Sequence, residues 1–91
     1  MADRRLQVFH AVARHLSFTR AADALFMSQP AVTFQIKQLE DQCATRLFER
    51  RHGSLALTPA GELVLAYAGK ILALSDEMDT RLAEMTGEMR G

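Results

Sequence analysis

Ser17-Phe18-Thr19-Arg20-Ala21-Ala22-Asp23-Ala24-Leu25-Phe26-Met27-Ser28-Gln29-Pro30-Ala31-Val32-Thr33-Phe34-Gln35-Ile36-Lys37 is the stretch that decides the fold. Ser17 is placed to cap a short helix whose inward face is Ala21, Ala22 and Leu25 and which ends near Phe26. Ser28 offers the next cap, and Pro30 sits in the first turn after it, where its missing N–H is no loss. Val32, Ile36 and Leu39 then form the buried stripe of a helix running to about Gln42. The small alanines 21 and 22 let the two helices cross closely, which makes a helix-turn-helix.

Upstream, Leu6, Phe9, Val12, Ala13 and Leu16 recur at helical spacing and predict an amphipathic helix over 4–16. Downstream, Leu47 to Arg51 and Leu55 to Thr58 flank His52-Gly53-Ser54, the pattern of a small β-hairpin. Thr58 caps one more helix, whose first position Pro59 takes; no stop signal beyond tolerable glycines then appears until about Met89. The expected fold is mainly α. A winged helix-turn-helix of three helices and a two-stranded β wing occupies residues 1–57, and one long helix occupies 58–91.

The 91 residues allow one modest core, and 48% hydrophobic content at zero formal net charge argues against disorder. A single cysteine, Cys43, excludes an internal disulfide framework and reads as a small apolar residue closing the core behind the third helix. Met1-Ala2-Asp3-Arg4-Arg5 leads straight into the first helix, so no signal peptide is expected. The longest apolar run, Leu63 to Leu74, is broken by Gly69 and Lys70 and is too short for a membrane span.

Zero net charge discourages a nucleic-acid partner until the charges are placed. Residues 1–53 carry eight basic and five acidic groups, net +3; residues 54–91 carry three basic and six acidic groups, net −3. The basic half holds the helix-turn-helix. Its second helix leaves Gln29, Pro30, Ala31, Thr33, Phe34 and Lys37 near its N-terminal end or outer face, the positions that meet base edges in the major groove. Gln29 can bond adenine bidentately, and Thr33 can serve several bases. Arg50, Arg51 and His52 on the hairpin are placed to reach flanking phosphate. Arg4 and Arg5 suit either phosphate contact or a solvated helix start, and Arg46 either phosphate or a carboxylate such as Glu49 or Asp41.

Ser17-Phe18-Thr19-Arg20-Ala21-Ala22, Ser28-Gln29-Pro30-Ala31-Val32-Thr33, Leu39-Glu40, Arg46-Leu47-Phe48-Glu49-Arg50 and Leu57-Thr58-Pro59-Ala60-Gly61 closely resemble the DNA-binding region of LysR-type transcriptional regulators. The similarity runs without gaps from about Leu6 to Gly61, and the long helix resembles that family's linker helix. The resemblance implies a cytoplasmic, dimeric regulator that binds double-stranded DNA at an interrupted palindrome. It implies base contacts from the six residues of the recognition helix and backbone contacts from Ser17, Thr19, Arg20, Ser28, Arg50, Arg51 and His52. Family members usually continue into a much larger effector-binding domain. This chain therefore resembles a piece of a longer protein, with no cofactor of its own and a small-molecule inducer expected on the absent part.

Five residues at three places depart from the family pattern. Phe34 stands where a polar residue is common; it can pack on a thymine methyl or fold back on its own helix. Cys43-Ala44 replaces the usual Leu-Gly, so the exit of the third helix is expected to differ from a glycine-capped one. Gly53 and Ala56 leave the wing without two of the family's frequent basic residues. The segment Ala31 to Glu40 also resembles regulators of carbon-fixation operons.

Along the long helix, Tyr67, Ile71, Leu74, Met78, Leu82, Met85 and Met89 follow one another at steps of 4, 3, 4, 4, 3 and 4, an a/d-type seam. The early positions are expected to cover the first helix in part. The later ones require a partner helix, and the resemblance makes that a second copy of the chain. Acidic Asp76, Glu77, Asp79, Glu84 and Glu88 lie on or beside this arm, away from phosphate. No phosphate loop, metal-ligand set or nucleophile–base pair is present, and His10 and His15 are not spaced for a shared helical face, so an enzyme has no support. Two alternatives stand beside the first reading. One is a winged helix regulator of molybdate-responsive type; the other is a helical protein-interaction module that has lost DNA binding.

Overall fold

The computed structural model describes residues 3–87. Its order is α1 (Arg4–His15), α2 (Phe18–Leu25), α3 (Gln29–Cys43), β1 (Phe48–Arg51), β2 (Ser54–Leu57) and α4 (Pro59–Thr86). The expected winged helix-turn-helix with a long final helix is what the chain forms. Met89 of the predicted seam lies outside the described residues.

Each helix starts on a side-chain cap. Asp3 accepts from the Arg5 N–H at 2.8 Å, Ser17 from Arg20 at 3.1 Å, Ser28 from Ala31 at 3.2 Å and Thr58 from Gly61 at 3.0 Å, satisfying amides that the helices cannot. Hydrogen bonds from Arg5 hold the Asp3 carboxyl below its ordinary pKa. The exits of α1, α2 and α3 turn left-handed on residues other than glycine: Leu16, Phe26 and Ala44 all have positive φ, whereas α4 ends on Gly87. At α2 the Met27 N–H reaches back to the Ala22 carbonyl, and at α3 the Thr45 N–H reaches the Glu40 carbonyl, the closing bonds that normally accompany a glycine. The third exit therefore keeps glycine-type geometry with an alanine in place (φ 57°). The expectation of a different exit is corrected: the two backbone bonds outweigh the modest cost of a β-carbon in that conformation.

The core joins Val8, Phe9, Val12 and Ala13 of α1 to Ala21 and Ala22 of α2 and to Val32, Ile36 and Leu39 of α3. Leu47, Phe48 and Ala68 complete it. Phe48 anchors the wing, its ring centroid 5.3 Å from Phe9 and 6.0 Å from Phe18. Cys43 does not close this core as expected: it is exposed. The helix ends there and the chain reverses, so buried Leu47 and Phe48, rather than a further turn of α3, fill the space.

The wing pairs Phe48 with Leu57 through Arg51 with Ser54 in an antiparallel ladder. Ser54 is thus a strand residue, and the turn is His52-Gly53 alone, both at positive φ (53° and 79°). Such a two-residue turn matches the right-handed twist of the strands it joins.

Along α4, Val64, Leu65 and Ala68 pack against the core. Tyr67 and Ile71 remain 58% and 47% exposed, so the early seam positions do not cover α1 as expected; a neighbouring stripe of the same helix does. Leu63, Leu74, Met78, Leu82 and Met85 continue the uncovered face. The 28 residues of α4 give the molecule its longest dimension, 51 Å. No described helix is long and apolar enough to cross a membrane.

Candidate nucleic-acid interface

The Ser28 cap and Pro30 start α3 sharply, so Gln29, Pro30, Thr33, Phe34 and Lys37 form one shallow patch at its first turns. All five are exposed, while Val32 and Ile36 between them are buried. Phe34 is 57% exposed. Ala31 is half-buried, with its N–H given to Ser28 Oγ.

The wing folds back beside this patch because Phe48 is drawn into the core. Arg50 consequently shares a cleft with Ser17, Thr19 and Gln29, walled by Leu16, Phe18 and the Gly53–Leu55 side of the hairpin. On its other side Arg50 lines a second groove with Thr33 and Lys37. One arginine from the wing thus connects the start of α2 with the outer face of α3. Ser17 Oγ already accepts a backbone hydrogen bond, leaving its O–H free in geometry to donate to an anion.

The remaining expected backbone-contact residues lie around this face without joining either cleft. Arg20 is exposed in the first turn of α2, Ser28 caps α3, and His52 sits at the tip of the turn. Arg51 is held by Glu49 at 2.5 Å on the same strand. Of the cations expected to contact DNA, Arg20, Lys37 and Arg50 make no ion pair among the described residues, which leaves them open to an incoming polyanion. Arg4 donates to Gln7 and Arg5 is paired with Asp3, as a solvated helix start would have it. No described group of His, Cys, Asp and Glu is placed to hold a metal ion.

Sequence reasoning missed the partner of Arg46. Its guanidinium lies 3.8 Å from Glu40, not from Glu49 or Asp41. The same Glu40 carboxylate accepts the N–H groups of Leu47 at 2.7 Å and Phe48 at 3.3 Å. Residue identity carries no signal for it, because the groups that need the carboxylate are backbone amides left unpaired where the chain enters the wing.

Residues 4–62 match the family described as "Bacterial regulatory helix-turn-helix protein, lysR family". Over 88 residues the chain is 48% identical to the RuBisCO operon transcriptional regulator of Allochromatium vinosum; that alignment covers 97% of this chain and 29% of the relative. It is 60% identical over 57 residues to the glycine cleavage system transcriptional activator of Escherichia coli K12, covering 63% of this chain and 19% of that protein. The chain thus spans less than a third of the length of either relative. Among solved structures, the BenM DNA-binding domain in complex with catB site 1 DNA superposes with a TM-score of 0.88 at 36% identity, covering 94% of this chain and 97% of that one. With the family profile matching most of its length and the fold superposing on a family DNA-binding domain, the chain belongs to the lysR family of bacterial regulatory helix-turn-helix proteins.

Proposed function

We propose that this chain is the DNA-reading head and dimerising arm of a larger lysR-family regulator, acting in the cytoplasm at promoter sites of dyad symmetry. The observation that carries the reading is the placement of wing Arg50 in one cleft with Gln29 of α3 and with Ser17 and Thr19 of α2. That arrangement suits a duplex: α3 enters the major groove, the α2 start and the wing hold phosphates on either side, and Gln29, Pro30, Ala31, Thr33, Phe34 and Lys37 face the bases. Ser17, Thr19, Arg20, Ser28, Arg50, Arg51 and His52 supply the backbone contacts. The molybdate-responsive alternative has no support beside the family match. The likeness to a domain solved on DNA favours a reading head over a pure interaction module.

The exposed apolar face of α4, Tyr67, Ile71, Leu74, Met78, Leu82 and Met85, is the dimer seam of this reading. Nothing among the described residues covers this face, and an apolar stripe of that length calls for a partner. Two-fold pairing of these arms would present two heads to two half-sites. Sedimentation of a Leu74→Glu chain tests it: monomers are expected where the unaltered chain is dimeric, and an unchanged dimer sinks the seam.

Selection of duplexes from a random pool yields half-site and spacing together. Gln29→Ala should then relax preference at one base pair, costing about 1–3 kcal/mol there, whereas Arg50→Ala should weaken all sequences alike. An untouched preferred sequence in the Gln29 variant would falsify the base-contact assignment. The two relatives regulate, by their names, the RuBisCO operon and the glycine cleavage system, yet both share the head. The selected sequence, rather than overall identity, is what assigns the regulated genes, carbon fixation included.

A further inference from the structure

Between the recognition helix and the arm lies a three-residue segment, Arg46-Leu47-Phe48, that both elements grip. From α3, the Glu40 carboxylate takes the N–H groups of Leu47 and Phe48 at 2.7 and 3.3 Å and faces Arg46 at 3.8 Å. From the α4 cap, Thr58 donates its hydroxyl to the Arg46 carbonyl at 2.7 Å and its N–H to the Leu47 carbonyl at 3.0 Å. Thr58 Oγ1 simultaneously accepts the Gly61 N–H, tying the first turn of α4 into the same group. The segment's amides are therefore held by one helix and its carbonyls by the other, with buried Leu47 as the shared pivot.

We propose that Glu40 and Thr58 are positioning residues that fix the angle between recognition helix and arm, and so set the half-site separation the dimer tolerates. The proposal rests on the dimer reading above. Two binding heads joined rigidly are selective for the distance between their sites, and loosening the joint flattens that selectivity without altering either head. Neither residue belongs to the exposed patch at the first turns of α3. Thr58 also lies outside both clefts lined by Arg50, whereas Glu40 lines the groove that Arg50 shares with Thr33 and Lys37, so Thr58 is the probe whose effect passes through geometry rather than contact.

The test uses the full 91-residue chain and the half-site recovered by selection, presented singly and in pairs whose separation varies by single base pairs. Thr58→Asp still caps α4 but cannot donate to the Arg46 carbonyl; Glu40→Leu removes the acceptor for both amides. Thr58→Ser preserves its hydrogen bonds, Glu40→Gln keeps one acceptor oxygen for both amides while losing the Arg46 ion pair, and the two serve as rescues. Both disruptive variants are expected to reduce the preference for the best spacing by about threefold or more, while single half-site affinity of the Thr58→Asp chain stays within about twofold and the rescues keep the spacing preference of the unaltered chain. Equal weakening of single and paired sites with unchanged spacing preference overturns the proposal. An unaltered chain indifferent to spacing overturns the dimer reading and this inference together. Circular dichroism identifies an unfolded Glu40→Leu chain, in which case Thr58→Asp decides.

Discussion

The carbonyl oxygen of Leu47 lies against Gly61 so closely that a β-carbon there would overlap it, with Leu57 Cδ2 only 2.9 Å away. The first turn of α4 can approach the wing only because residue 61 has no side chain. Glycine in a helix usually costs about 0.5–1 kcal/mol relative to alanine. Here the sign reverses. Gly61→Ala should destabilise the chain by about 1–3 kcal/mol, as overpacking against backbone does, measured by urea denaturation. A stabilised variant would mean that α4 can shift away from Leu47.

On the wing, Glu49 occupies Arg51. The pair is exposed, so its loss should hardly affect folding. A phosphate must compete with that carboxylate for the guanidinium. Glu49→Gln is therefore expected to tighten binding to cognate and random duplexes alike and to steepen the salt dependence by about one counterion. Anisotropy titrations at several salt concentrations measure both; weaker or unchanged binding removes Arg51 from the phosphate contacts.

Phe34 stands away from the core, so truncating it should leave the thermal midpoint nearly unchanged. If it packs on a thymine methyl, Phe34→Ala loses affinity for the selected site but not for the same duplex carrying uracil at that step. A loss that ignores the methyl assigns the ring to shape or backbone instead.

Much of the fold was legible because caps and turns are local. Ser17, Ser28 and Thr58 announced three helix starts, Ala21 and Ala22 the close crossing, and His52-Gly53 the hairpin. What the sequence hid was non-local. On α4 two apolar stripes run side by side, and periodicity alone does not say that Val64, Leu65 and Ala68 face inward while Tyr67 and Ile71 face out. Cys43 continues the helical spacing of Ile36 and Leu39, but the chain turns before that position reaches the core. Glu40 binds backbone amides, and backbone partners leave no trace in residue identity.

Ala44 at the end of α3 sits at φ 57°, where glycine has no steric cost. Ala44→Gly should raise stability by about 0.5–1 kcal/mol despite the greater freedom of the unfolded chain. A higher urea midpoint with unchanged slope is expected; a lower one would show that the β-carbon makes a compensating contact.

The placement of charge along the 51 Å axis has a kinetic consequence. A molecule with 11 positive and 11 negative side chains exerts little long-range pull as a whole, yet it carries an electric moment from the acidic arm to the basic head. In the field of a duplex such a moment exerts a torque before any contact forms, turning the head forward during the encounter. Association should therefore slow with ionic strength even in a chain that would barely migrate in an electric field at neutral pH: neutrality of the sum does not remove orientation.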